Sequence, residues 1–352
     1  MLARLGRAAA LACLLIGPAV TWAADPTSDE GQTLDVRRLS SEQRRRLLAG
    51  ETISYSVPET NDVELATGVA MYLPVPLARA AEVLTSPEMV LRDSTITASG
   101  PIPADATPHN LRGFTLVAGE LGEAQEVLDA TPGPRFNLSA AEIEGFHAAK
   151  AAVRPGDRVS VVEAAASQWR VTLLERARAF RARGLEGVAP YARRGGTADP
   201  AALLRVAAGD ARVAASVAPH LGAELLAYPA EQSATATSQF YWVRRQVQTR
   251  PDPIVIHHLI DVTPAAALYV ERQIYVGHTY NASQVLCVAL PYEDGVVILS
   301  SSHVATEQIT GLGGDMRKLI GRRQLRGELV KRFDRIRAAL VRPGVPERVE
   351  SP

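Results

Sequence analysis

The sequence predicts an α+β fold in which an antiparallel sheet meets a long C-terminal helix and a mostly helical insertion interrupts the strands. Three observations predict it. Apolar residues alternate from Val63 to Val75, the period changes to helical between Ser139 and Pro229, and alternation returns from Ser238 to His303 ahead of a long amphipathic stretch.

The N-terminus comes first. Arg4 and Arg7 precede an uncharged apolar run from Ala8 to Val20, and Thr21-Trp22-Ala23 offers small residues at the two positions that a signal peptidase reads. Residues 1–23 therefore read as a cleaved secretory signal peptide, with the mature chain beginning near Ala24. The run is too short for an anchor, since a spanning helix takes roughly 20 residues. Cys13 lies inside the run with Leu14-Leu15-Ile16 still to follow, which argues against a lipoprotein. The expected location is the periplasm or the exterior of a bacterial cell.

Removal of the signal leaves Cys287 as the one cysteine, so no intramolecular disulfide forms, and a small buried residue is its expected role. The chain carries 38 basic and 38 acidic residues. That balance excludes a general nucleic-acid binder. Lysine is scarce beside arginine and alanine, which looks like the usage of a bacterial genome rich in G and C.

Residues 24–50 read as a leader with a short helix, 51–342 as a single domain and 343–352 as a disordered tail. Val63, Leu65, Val69, Met71, Leu73 and Val75 share one face of a strand that Pro74 and Pro76 end, and Ala78–Leu84 follows as a helix. Phe114–Val117 reads as a further strand. The insertion is expected over about 139–229. It opens with a capping box at Ser139 and Glu142 and continues in a helix whose stripe carries Trp169, Leu173 and Phe180, read as core, with Gly184 ending it. Asp199-Pro200 starts another helix as N-cap and first-turn proline.

Phe240–Val247 and Ile254–Val262 read as strands around a turn at Arg250–Pro253. Tyr269–Tyr280, Ser283–Leu290 and Val296–His303 follow, the last two joined by a tight Glu293-Asp294-Gly295 turn. A Gly311–Gly314 break leads into the terminal helix, where Leu325, Leu329, Phe333, Ile336 and Leu340 form one stripe and Pro343 ends it.

The chain holds no GxSxG elbow, Walker loop, HExxH or paired-cysteine site. His257 and His258 are neighbours on a strand and must point to opposite faces, so they cannot chelate one ion together; no bound zinc and no cofactor are expected. Between Asp315 and Arg337 nine basic residues face three acidic ones. Arg322, Arg323, Arg326 and Arg332 are accordingly expected at an anionic membrane surface, with a solvated helix face as the plainer alternative.

The opening Val69-Ala-Met-Tyr-Leu-Pro-Val-Pro76 with Ala80-Ala-Glu-Val-Leu84, and the closing run from Gly311-Leu-Gly-Gly314 into the terminal helix, resemble the START-like (SRPBCC, helix-grip) superfamily. Phe240-Tyr-Trp242, Pro253-Ile-Val-Ile256 and Arg272 to Ser283 are more closely similar to a group of uncharacterised exported bacterial proteins. The resemblance implies an antiparallel sheet gripping the last helix around an apolar cavity. It implies a binder of a hydrophobic or lipid-like small molecule, with two alternatives: a cyclase or hydrolase using a cavity histidine, or an envelope structural protein with no ligand. The expected ligand-binding residues are Trp242, Arg244, Gln246, Tyr275, His278 and Tyr280 on the inner sheet face, with Phe333 and Ile336 contributed by the helix. Tyr275 has the opposite parity from His278 and Tyr280, so a bulge near Gly277 is required.

Overall fold

The computed structural model describes residues 40–86, 93–154, 156–209, 225–230, 234–247, 249–311 and 313–341. The expected signal peptide, the leader as far as residue 39 and the C-terminal tail lie outside the described residues. Helix α1 (Ser41–Leu48) opens with a reciprocal capping box between Ser40 and Gln43. Strands β1 (Ile53–Tyr55) and β2 (Glu64–Leu73) follow, then α2 (Leu77–Thr85) and β3 (Ile96–Pro101). The insertion comprises α3 (Leu121–Leu128), α4 (Ala140–Ala151), α5 (Arg158–Arg183), the short hairpin β4 (Tyr191–Arg193) and β5 (Gly196–Ala198), and α6 (Pro200–Gly209). The chain then runs through β6 (Ala236–Val247), β7 (Arg250–Val262), β8 (Ala267–Val276), β9 (Ala282–Tyr292) and β10 (Gly295–Ala305) into α7 (Gly314–Val341).

Eight strands form one antiparallel sheet in the order β1-β2-β10-β9-β8-β7-β6-β3. The first long strand thus lies beside the last, and the meander β6 to β10 fills the space between β3 and β2. Period-two alternation sends each strand's residues to two faces, and both are covered. On one face α2 and α7 pack over Val69, Met71, Tyr269, Cys287 and Ile298, with Leu329, Phe333, Ile336 and Leu340 supplied by α7. On the other face the insertion packs over Phe240, Trp242, Val255 and Tyr275 at one end, and α1 packs over Ala70, Val297 and Leu299 at the other. Strand β7 is buried on both faces over residues 251–261, and Asp252, His257, His258 and Asp261 are enclosed along with its apolar residues.

Three details depart from the sequence reading. Helix begins at Leu121, ahead of the expected 139. Phe114–Val117 is a loop, and Phe114 buries its ring completely in the insertion core, edge-on to Trp242. The turn expected at Arg250–Pro253 lies earlier, since Arg250 already pairs with Val247 and both prolines fall inside β7. The carbonyl of Pro253 accepts from Gly277 N at 2.9 Å, so its nitrogen also faces the side where β8 is leaving the sheet and no donor is needed.

Candidate functional site

The bulge expected near Gly277 has no strand to sit in, since β8 ends at Val276 and His278 and Tyr280 lie beyond it; β8 instead carries a bulge upstream of Tyr275, at the Val255/Ile256 pairing, where Val255 faces Tyr275, Ile256 faces Gln273 and Ile274 is the extra residue. It turns Tyr275 toward the insertion. There the ring lies 6.4 Å from Trp169 and 6.1 Å from Tyr191, with the Arg176 guanidinium 4.9 Å from its centroid. Trp242 is on the same face, edge-on to Phe114 at 6.2 Å and pressed against Gly100 and Gly113. Arg244 beside it pairs with Glu120 and donates to Thr97 Oγ1. Gln246 lies at the end of β6, its amide donating to Thr95 O at 2.7 Å.

His278 sits past β8, its amide donating to Asp252 Oδ1 at 3.1 Å and its Nε2 3.2 Å from Pro251 O. Tyr280 donates to Gln273 Oε1 and stacks under Arg245. Phe333 and Ile336 are buried beneath α7 on the other side of the sheet. The single pocket expected from these eight residues is therefore corrected: Trp242, Arg244 and Tyr275 face the insertion, while Phe333 and Ile336 face the opposite way. A strand's parity tells which residues share a face, but which helix covers that face is a long-range matter.

His257 and His258 do point to opposite faces. His257 is enclosed by Phe180, Tyr228 and Phe240, and its Nε2 meets Ser238 Oγ at 2.9 Å. His258 lies under α7 in a polar chain: its Nε2 is 3.0 Å from Tyr269 Oη, Tyr269 Oη is 3.1 Å from Glu271 Oε2, and Arg332 Nη1 donates to the same oxygen at 3.1 Å. One hydroxyl proton serves one acceptor, so the chain is satisfied when neutral His258 donates to Tyr269 and Tyr269 donates to Glu271. Burial lowers the His258 pKa to about 4, with Glu271 pulling up and Arg332 pushing down. Burial would raise the Glu271 carboxyl, but the Arg332 guanidinium and the other donors outweigh it and hold it below its ordinary value.

Arg332 was expected at a membrane surface, and that placement is corrected. It sits three residues after Leu329 and four before Ile336, on the buried stripe, with its side chain only 13% exposed. Glu271 went unmarked in the sequence, and the available signal was on the helix, where Arg332 falls within the apolar stripe of Leu329 and Ile336 and so needs a buried counter-charge. A second buried pair joins His303 Nδ1 to Glu64 Oε1 at 2.7 Å, where Glu64 also accepts from Thr60 N and Oγ1. Both are sealed from solvent.

The open site lies elsewhere. Between β1 and the first half of α7 is a solvent-open groove of about 480 Å³. Ser54, Tyr55, Ser56, Val57, Ala66 and Thr67 form its sheet wall, and Leu319, Arg322, Arg323 and Arg326 its helix wall, with Glu59 at the margin. The walls are set by close packing. Gly321 lets α7 approach β2, because a Cβ there would stand 2.6 Å from Leu65 Cδ1. Gly68 lets the Tyr55 ring lie flat on the sheet, where its hydroxyl donates to Ser300 O at 3.1 Å. Arg322 is clamped by both Glu59 oxygens at 2.6 Å, and Lys318 Nζ stands 3.8 Å from the same carboxylate. Three of the four arginines singled out in the sequence thus meet at this groove. Tyr55, Thr67 and Glu59 were not legible as partners, since they come together with α7 only in the fold.

Among the described residues no group of three histidine, cysteine, aspartate or glutamate side chains is placed to hold a metal ion. No helix among them is long and apolar enough to cross a membrane. Comparisons with protein-family models, with curated proteins and with solved structures find no match for this chain.

Proposed function

We propose that the protein is an exported binding protein for a small amphipathic molecule with an anionic group, held in the groove between β1 and α7. The observation that carries this reading is the composition of the groove. Leu319, Val57, Ala66 and the Tyr55 ring supply apolar wall, the serines and Thr67 supply hydroxyls, and three arginines ring the opening. A concave site with apolar walls and a few convergent polar groups suits a ligand with one apolar and one charged end. Arginine's planar fork is matched to carboxylate and phosphate oxygens. The space beneath α7 is occupied by Phe333, Ile336 and the Arg332–Glu271 network, which moves the expected site from the interior to this groove. The strand order supports the helix-grip resemblance, in which such a sheet and last helix bound a ligand site. Location in the periplasm or exterior is part of the same proposal.

Titration calorimetry with lysophosphatidylglycerol tests it. One-to-one saturable binding is expected, with weaker binding of zwitterionic lysophosphatidylcholine. Ser54→Trp, which fills the groove from the half-exposed β1 edge, should abolish binding while leaving the melting temperature unchanged. Arg323→Gln combined with Arg326→Gln should weaken it by roughly tenfold or more, the scale of losing charge-assisted hydrogen bonds. Undiminished binding by Ser54→Trp, or no saturable binding by the parent protein, would overturn the proposal.

A further inference from the structure

The first half of α7 carries an apolar face that nothing among the described residues covers. Met316, Leu319 and Ile320 are 61%, 49% and 43% exposed, and their spacing of three and four residues sets them side by side. Arg323 continues the same row and is itself exposed. This contrasts with the second half of the helix, where Leu329, Phe333, Ile336 and Leu340 are all buried. A helix partly seated on a sheet normally exposes polar residues outward. Here the outward face holds three of the nine large exposed apolar side chains found among the described residues.

Its surroundings are basic. Arg317, Lys318, Arg322, Arg323 and Arg326 stand on this half of the helix against Asp315 on the helix and Glu59 and Asp62 at the sheet. Glu59 and Asp62 engage Lys318 and Arg322, and five basic against three acidic side chains leave a positive formal charge among the described residues here.

We infer that this face of α7 docks on an anionic lipid surface, with Met316, Leu319 and Ile320 entering the headgroup boundary and Arg323 lying at the phosphate level. Apolar side chains rimmed by arginine are the pattern of helices that lie in a membrane interface, where burial and attraction to anionic lipid add. A second copy of the chain is the poorer occupant, because two such faces would bring like charge together. Leu319, Arg322 and Arg323 line the groove as well, so docking presents the groove mouth to the lipid. The docking stands whether or not the groove holds a ligand.

Sedimentation with vesicles tests it, using the mature chain. Vesicles of phosphatidylcholine with phosphatidylglycerol should bind the protein, and vesicles of phosphatidylcholine alone should not; high salt should release it. Combined Met316→Ser, Leu319→Ser and Ile320→Ser should lower partitioning by at least about tenfold, since each half-exposed apolar side chain contributes on burial. Arg323→Gln should lower it about fivefold. Both variants should keep the melting temperature of the parent, which separates lost docking from lost folding. Ser54→Trp should bind vesicles as the parent does, so failure of the groove reading and failure of the docking reading remain distinguishable. Equal binding to both vesicle types, or an unchanged serine variant, overturns the inference. A parent protein that is dimeric by light scattering, with a monomeric serine variant, overturns it in favour of a second copy.

Discussion

Replacing Arg332 with glutamine decides between the two environments that an arginine on a basic helix can have. In the structure its guanidinium donates to Glu271 at 3.1 Å and lies 5.1 Å from the Tyr269 ring centroid, with side-chain exposures of 13% for Arg332 and 7% for Glu271. Truncation leaves the Glu271 carboxylate buried beside Tyr269 and Gln273 without its counter-charge. Breaking a buried pair by removing one partner costs about 3–5 kcal/mol, whereas a surface arginine contributes about 0–1 kcal/mol. The pair retains a little solvent access, so the expected loss is about 3 kcal/mol. Urea unfolding at neutral pH measures it, with the slope checked for constancy. The double variant Arg332→Gln, Glu271→Gln removes both charges and should recover more than half of the loss, since no charge is then stranded. A single-variant loss below about 1 kcal/mol, at the level of a surface pair, would refute the buried-pair assignment.

Two further outcomes follow from the same interior. The folded-state pKa of His258 is lowered to about 4 by burial against an ordinary 6.5, so above pH 6.5 neither state takes a proton and the group adds no slope. As pH falls from 6.5 toward 4 the unfolded chain protonates and the folded chain does not, which costs about 3 kcal/mol in all; His258→Gln should remove that share of the acid destabilisation, and an unchanged pH profile would show that His258 titrates normally. Gly184 has φ +56°, and a Cβ there would stand 1.8 Å from the Tyr228 carbonyl oxygen, so Gly184→Ala should lower stability by at least about 2 kcal/mol by thermal or urea unfolding, and a neutral outcome would mean that the α5 terminus is not held as described.

Much of the fold was legible because it depends on neighbours in sequence. The β2 alternation, the Ser139–Glu142 capping box, the α5 stripe ending at Gly184 and the Glu293–Gly295 hairpin turn are each decided within a few residues. The opposite directions of His257 and His258 follow from strand parity alone. The α+β class, the antiparallel meander and the long last helix follow from the sum of these local patterns.

What the tertiary structure decided is which surfaces meet. Trp242 on the sheet and Phe333 on the last helix were expected to meet in one pocket, yet the sheet is covered on two faces, with the insertion on the Trp242 side and α7 on the other. Arg332 and Arg323 are nine positions apart on one basic helix, and their spacing relative to the Leu329–Ile336 stripe sends one into the core and the other to the groove. Phe114–Val117 has strand composition but is a loop whose Phe114 ring is buried in the insertion core. Glu59, Tyr55 and Thr67 become groove residues only when β1 and β2 are laid against a helix more than 240 residues further along the chain. Periodicity is a property of adjacent residues and survives in the sequence; burial on a particular face depends on partners distant in the chain, and the fold alone brings them together.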